Sequence, residues 1–124
     1  FKRTRRPLRS MALNADTSVL TCVANDFSYE NIFSRQLEAH GRSGDILVGI
    51  STSGQSENIL KALKTAKDMG IATIGLLGKG GGDALAHIDH ALVVPSDTTA
   101  RIQESHILIG HILCELIEIE LGIS

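Results

Sequence analysis

Short apolar runs alternate with stretches of helical periodicity along the chain, and this alternation limits the fold more than any other feature. The runs are SMALNA (10–15), DILVGIS (45–51), IATIGLLG (71–78) and HALVVP (90–95). Helices are expected near 29–40, over about 56–69, briefly near 82–88, and over about 99–121. Strands that alternate with helices pair in parallel through right-handed crossovers. The runs lack a period of two, which suits strands covered by helices on both faces. Gly44, Gly70 and Gly122 stand where helices should stop, and Pro95 closes the last strand. The expected fold is α/β: a three-layer, doubly wound parallel sheet forming one domain over 1–124.

A chain of 124 residues has room for one core. Its formal charge of −2 and apolar share of 43% give no global pull toward nucleic acid or membrane, and the longest apolar run is too short to span a bilayer. The opening FKRTRRPLR holds five of the twelve Lys and Arg residues. Pro7 interrupts any helix there and nothing aromatic is interleaved beyond Phe1, so a solvated connector is expected rather than a nucleic-acid arm. Cys22 and Cys114 lie in apolar stretches without metal-like spacing, which points to a reducing cytoplasm. No secretory segment is visible, and a chain beginning at Phe1 is expected to be a piece of something longer.

The stretch GISTSGQSEN (49–58) joins an apolar run to a helical pattern and carries Ser51, Thr52, Ser53 and Ser56 around Gly54. In doubly wound folds, ligands collect where a strand's carboxyl end turns into the next helix. The first N–H groups of such a helix lack internal partners, and its dipole favours an anion. Four hydroxyls can each add a donor there, and a glycine lets the backbone come close. One serine acting as a cap would account for one hydroxyl, not four in six positions. Phosphate binding is the expectation. The run GKGGGD (78–83) matches neither the Walker nor the dinucleotide pattern and is expected to be a strand-to-helix turn.

The final helix carries Ile102, Ile107, Leu108, Ile109, Ile112, Leu113, Leu116, Ile117, Ile119 and Leu121 around nearly its whole circumference, so contact with a second subunit is expected. Gln103 and His111 are eight apart on it, about 80° beyond two full turns, and can border one cleft. On the residues alone they can equally bond across an interface, since leaving them buried and unpartnered is costly. His106 is expected to be a surface or interface histidine, and His40, His87 and His90 surface positions. Asp26, in an Asn-Asp pair, reads first as a turn or cap residue.

GDILVGISTSGQSENILKALKTAKDMG resembles the phosphosugar-binding stretch of sugar isomerase (SIS) domains, which are flavodoxin-like. ADTSVLTCVANDFSYENIFSRQLEAHG before it and TARIQESHILIGHILCELIE after it resemble one branch, the phosphoheptose isomerases. The resemblance implies conversion of D-sedoheptulose 7-phosphate to D-glycero-D-manno-heptose 7-phosphate, a precursor of bacterial lipopolysaccharide heptoses. It implies a homotetramer and zinc, one per subunit. It assigns Ser51, Thr52, Ser53 and Ser56 to the substrate phosphate, and Asn25 and Asp26 to the sugar chain. Gln103 becomes a substrate and metal contact, and His111 the catalytic acid or base and a metal ligand.

The family's GNGGS turn and the helix with its histidine and glutamate have no counterpart in these residues. The natural protein is therefore expected to extend upstream of Phe1, supplying N-terminal helices, the first central strand and the remaining zinc ligands. The 124 residues alone are expected to be inactive. A competing reading is a non-catalytic SIS adaptor that binds a DNA replication initiator protein; a third is a phosphosugar-sensing regulatory domain.

Overall fold

A computed structural model describes residues 4–123. Three parallel strands, β1 (Ile46–Ser51), β2 (Ala72–Leu77) and β3 (His90–Val93), lie in the order β1-β2-β3. Gly49 pairs with Gly75, and Leu77 with Val93. The helices are α1 (Thr17–Asp26), α2 (Ser34–His40), α3 (Glu57–Asp68) and α4 (Thr99–Glu120), with 3-10 turns at Tyr29–Asn31 and Gly82–His87.

The core lies between α3 and one face of the sheet. Leu60 and Leu63 of α3 pack with Leu77 and Ala84, with Leu47, Ile59 and Ile88 around them. A second cluster joins Leu37 of α2, Ala66 and Ile71. The absence of a side chain at Gly49 lets α3 settle on β1: a Cβ there would lie 3.3 Å from Leu63. The opposite face of β1, made by Ile46, Val48 and Ile50, is exposed.

Thr73, at 2% exposure, ties the start of β2 to the approach to β3. Its N–H donates to the Asp89 carboxylate at 2.8 Å, and the Asp89 N–H donates to its hydroxyl at 2.9 Å. The Thr73 hydroxyl lies 3.1 Å from the same carboxylate and donates to it, and together with the Thr73 N–H it holds the Asp89 carboxyl below the usual carboxylate range.

The structure corrects the expected N-terminal third. SMALNA forms no strand; residues 13–15 bend instead, and Gln36 donates to the Leu13 carbonyl at 2.8 Å. A strand forms only beside another, and β1 is paired on one side, with β2, among the described residues. The single helix expected over 29–40 is a 3-10 turn followed by the short α2, and α1 was not expected at all. Asp16 caps α1 by accepting the Val19 N–H at 3.1 Å. The connector reading needs amendment too: Arg5 pairs with the buried Glu118 carboxylate of α4 at 2.5 Å, while residues 1–3 lie outside the described range.

Candidate functional site

β1 ends on Ser51, whose side chain is buried, and the chain turns through Thr52–Gln55 into α3. The turn is held by its own hydroxyls. Ser51 Oγ accepts the Gly54 N–H at 3.1 Å and lies 3.3 Å from Ser56 Oγ, while Ser53 Oγ accepts the Gln55 N–H at 3.2 Å. Ser56 occupies the N-cap position of α3 with extended backbone, yet its side chain makes no cap bond. The first-turn amides are thus left to an outside acceptor, at the end of the helix where partial positive charge collects.

A second loop backs this turn, and the sequence reading missed its part. GKGGGD is the expected strand-to-helix turn, with the 3-10 helix starting at Gly82. It also presses on the hydroxyl loop. Gly54 has a φ of +65°, and a Cβ there would lie 1.8 Å from the Gly81 carbonyl oxygen. A Cβ on Gly82 would lie 2.5 Å from the Ser53 carbonyl oxygen. The Ala84 N–H donates to the Gly54 carbonyl at 3.0 Å, and Gln55 Nε2 donates to Asp83 at 3.3 Å. Three glycines in a row at the carboxyl end of the neighbouring strand were the available signal.

The remaining candidates stand on other elements. Asn25 and Asp26 are the last residues of α1, both exposed, and Asn25 Nδ2 donates to Asp26 at 2.8 Å. The Cys22 thiol donates to the same carboxylate at 3.5 Å, and this bond together with the charge pushes the thiol above its ordinary value. Asp26 therefore acts within its own helix end rather than as a turn residue. Cys22 and Cys114 are free thiols, and both are exposed. Gln103 and His111 lie two turns apart on α4, both exposed. His106 is the buried histidine of the helix, not a surface one.

Among the described residues, no three His, Cys, Asp or Glu side chains converge so as to hold a metal ion. Gln103 and His111 offer two donors, against the four ligands zinc ordinarily takes. The described residues therefore do not make up a zinc site.

Residues 1–78 match the SIS domain family. This chain is an SIS domain protein. A phosphoheptose isomerase of Clostridium acetobutylicum is 56% identical over 121 residues, covering 98% of this SIS chain and 62% of that protein. One from Sulfurimonas denitrificans is 57% identical over 117 residues, covering 94% and 60%. The solved phosphoheptose isomerase of Francisella tularensis superposes with a TM-score of 0.89 at 44% identity, over 91% of this chain and 61% of that one. That of Neisseria gonorrhoeae gives 0.85 at 47% identity, over 86% and 61%. The SIS chain thus spans about three fifths of the length of these relatives.

Proposed function

We propose that the protein carrying this chain is a sugar-phosphate isomerase that converts D-sedoheptulose 7-phosphate to D-glycero-D-manno-heptose 7-phosphate. The observation that carries the reading is the turn at Ser51–Ser56: four hydroxyls gathered at the start of a helix whose N-cap serine makes no cap bond. The relatives named phosphoheptose isomerase support the choice of substrate.

In this reading the ester phosphate takes hydrogen bonds from Ser51, Thr52, Ser53 and Ser56 and from the first amides of α3. A bond to a charged acceptor contributes about 1.5–3 kcal/mol, so several hold a phosphate without a cation in the loop. Asn25 and Asp26 orient the sugar chain, and Gln103 bonds one of its hydroxyls. The reaction then moves one proton from carbon 1 to carbon 2 and a second from the oxygen on carbon 1 to that on carbon 2. Carbon 1 is oxidised as carbon 2 is reduced, so atoms and electrons balance within the sugar. His111 is the group proposed to take and return a proton, since an imidazole can both accept and release one. A zinc ion held by Gln103 and His111 would need further ligands.

The apolar residues left exposed on α4, among them Ile107, Leu108, Ile112 and Leu116, suit burial against a second copy in a homotetramer. An apolar groove between β3 and α4, lined by Leu92, Val93, Val94, Pro95, Ser105 and Ile109, includes none of the four hydroxyls and fits the same contact. No helix among the described residues is long and apolar enough to cross a membrane. The experiment is turnover of sedoheptulose 7-phosphate by the protein as the cell makes it, alongside the His111→Ala variant. Turnover that collapses in the variant supports the reading; absent turnover, or full turnover in the variant, contradicts it.

A further inference from the structure

α4 meets the carboxyl end of β2 through two residues one turn apart. Ile102, fully buried, presses on Gly78 so closely that a Cβ there would lie 2.4 Å from its Cδ1. One turn on, His106 is 5% exposed, and its Nε2 lies 2.9 Å from the carbonyl oxygen of Leu77. The same oxygen accepts the Val94 N–H at 2.9 Å. A carbonyl only accepts, so Nε2 carries the proton. In the neutral ring Nδ1 is then bare, and it is buried without a partner among the described residues.

An orphaned ring nitrogen is a cost that an aliphatic side chain at the same position would not bring. The compensating feature is direction. The Ile102 contact is apolar and has no preferred line, whereas a hydrogen bond weakens steeply off its line. Leu77 leads directly into Gly78–Gly82, the loop that presses on Gly54 of the hydroxyl turn. One contiguous backbone path therefore joins the His106 bond to the proposed phosphate site.

We propose that His106 is a positioning residue. Its Nε2–H bond to Leu77 sets the rotation of α4 and thereby aims Gln103 and His111 at a sugar whose phosphate rests on the hydroxyl turn. The inference depends on the isomerase reading above.

The test compares His106→Gln with His106→Asn in the protein as the cell makes it. The glutamine amide reaches as far as Nε2 and can donate to Leu77; the asparagine amide is polar but too short. Expected per folded molecule, with the folded fraction read by circular dichroism, is a kcat for His106→Asn lowered by about tenfold or more, as misplacement of a reacting group produces. KM should change by less than kcat, within about threefold, because the hydroxyls and helix amides proposed to hold the phosphate are all retained, and His106→Gln should recover kcat to within about threefold of wild type. A merely structural role would lower thermal stability in both variants and leave kcat per folded molecule alone. That result overturns the inference, as does equal loss of kcat in both. Should neither variant fold, 15N NMR of the wild-type imidazole decides: an Nε2–H tautomer supports the bond and an Nδ1–H tautomer overturns it. A wild-type protein without turnover would instead defeat the isomerase reading itself.

Discussion

The α-carbon of Gly54 faces the carbonyl oxygen of Gly81 so closely that a Cβ on Gly54 would sit 1.8 Å from it. The oxygen belongs to backbone, which cannot swing aside as a side-chain tip can. Gly54 also has a left-handed φ, so Gly54→Ala adds conformational strain to the clash. The expected loss of stability is roughly 2–4 kcal/mol, read from urea denaturation. Sugar-phosphate affinity should fall with it, because the two loops must part and the hydroxyls separate.

Ser51 and Ser56 should separate stability from binding. Ser51 is buried and accepts the Gly54 N–H, so Ser51→Ala strands a buried donor and costs about 1–3 kcal/mol in denaturation. Ser56 is exposed and its side chain does not cap α3, so Ser56→Ala should alter stability by less than about 0.5 kcal/mol. Calorimetric titration should nonetheless show sugar-phosphate binding by Ser56→Ala weakened by about tenfold or more, the worth of one bond to a charged acceptor.

Asp89 should contribute to acid sensitivity. Its carboxyl is held below the ordinary range in the folded protein by the Thr73 N–H and hydroxyl. The group therefore adds stability above the ordinary carboxylate pKa, near 4, and that contribution is lost as pH falls through the lower folded value. Urea midpoints followed from neutral pH downward should fall more steeply for wild type than for Asp89→Asn. Parallel curves would show that Asp89 has no such part.

Cys22 offers a chemical readout of the end of α1. Its thiol donates to Asp26, which keeps it protonated and slow to react. Asp26→Asn removes the charge, so iodoacetamide should modify Cys22 faster at mildly alkaline pH, as followed by mass spectrometry of the peptide.

The elements around the hydroxyl turn follow closely from residue pattern. β1, α3, β2 and α4 begin and end within a residue or two of where the apolar runs, Gly70 and Gly122 place them. α1 escaped because Thr17, Val19, Thr21 and Val23 put β-branched residues at every second position, which imitates a strand, and Asp16 gives the cap away only once the helix is known. SMALNA misled in the opposite direction, since an apolar run becomes a strand only where a neighbour offers hydrogen bonds. His106 shows a different limit. Its partner is the Leu77 carbonyl, 29 positions away, and no side-chain pattern encodes a backbone acceptor. The pressure of Gly81 and Gly82 on Gly54 is likewise a contact between loops that local reading treats one at a time.

The central claim is that alcohol groups and helix amides, not cations, hold a phosphate ester at the start of α3. A crystal of the protein soaked with sedoheptulose 7-phosphate tests it most directly. The account predicts the phosphorus group within hydrogen-bonding distance of the Ser51, Thr52, Ser53 and Ser56 hydroxyls and the first amides of α3. A phosphate bound elsewhere, with those hydroxyls still turned toward their own loop, would contradict it.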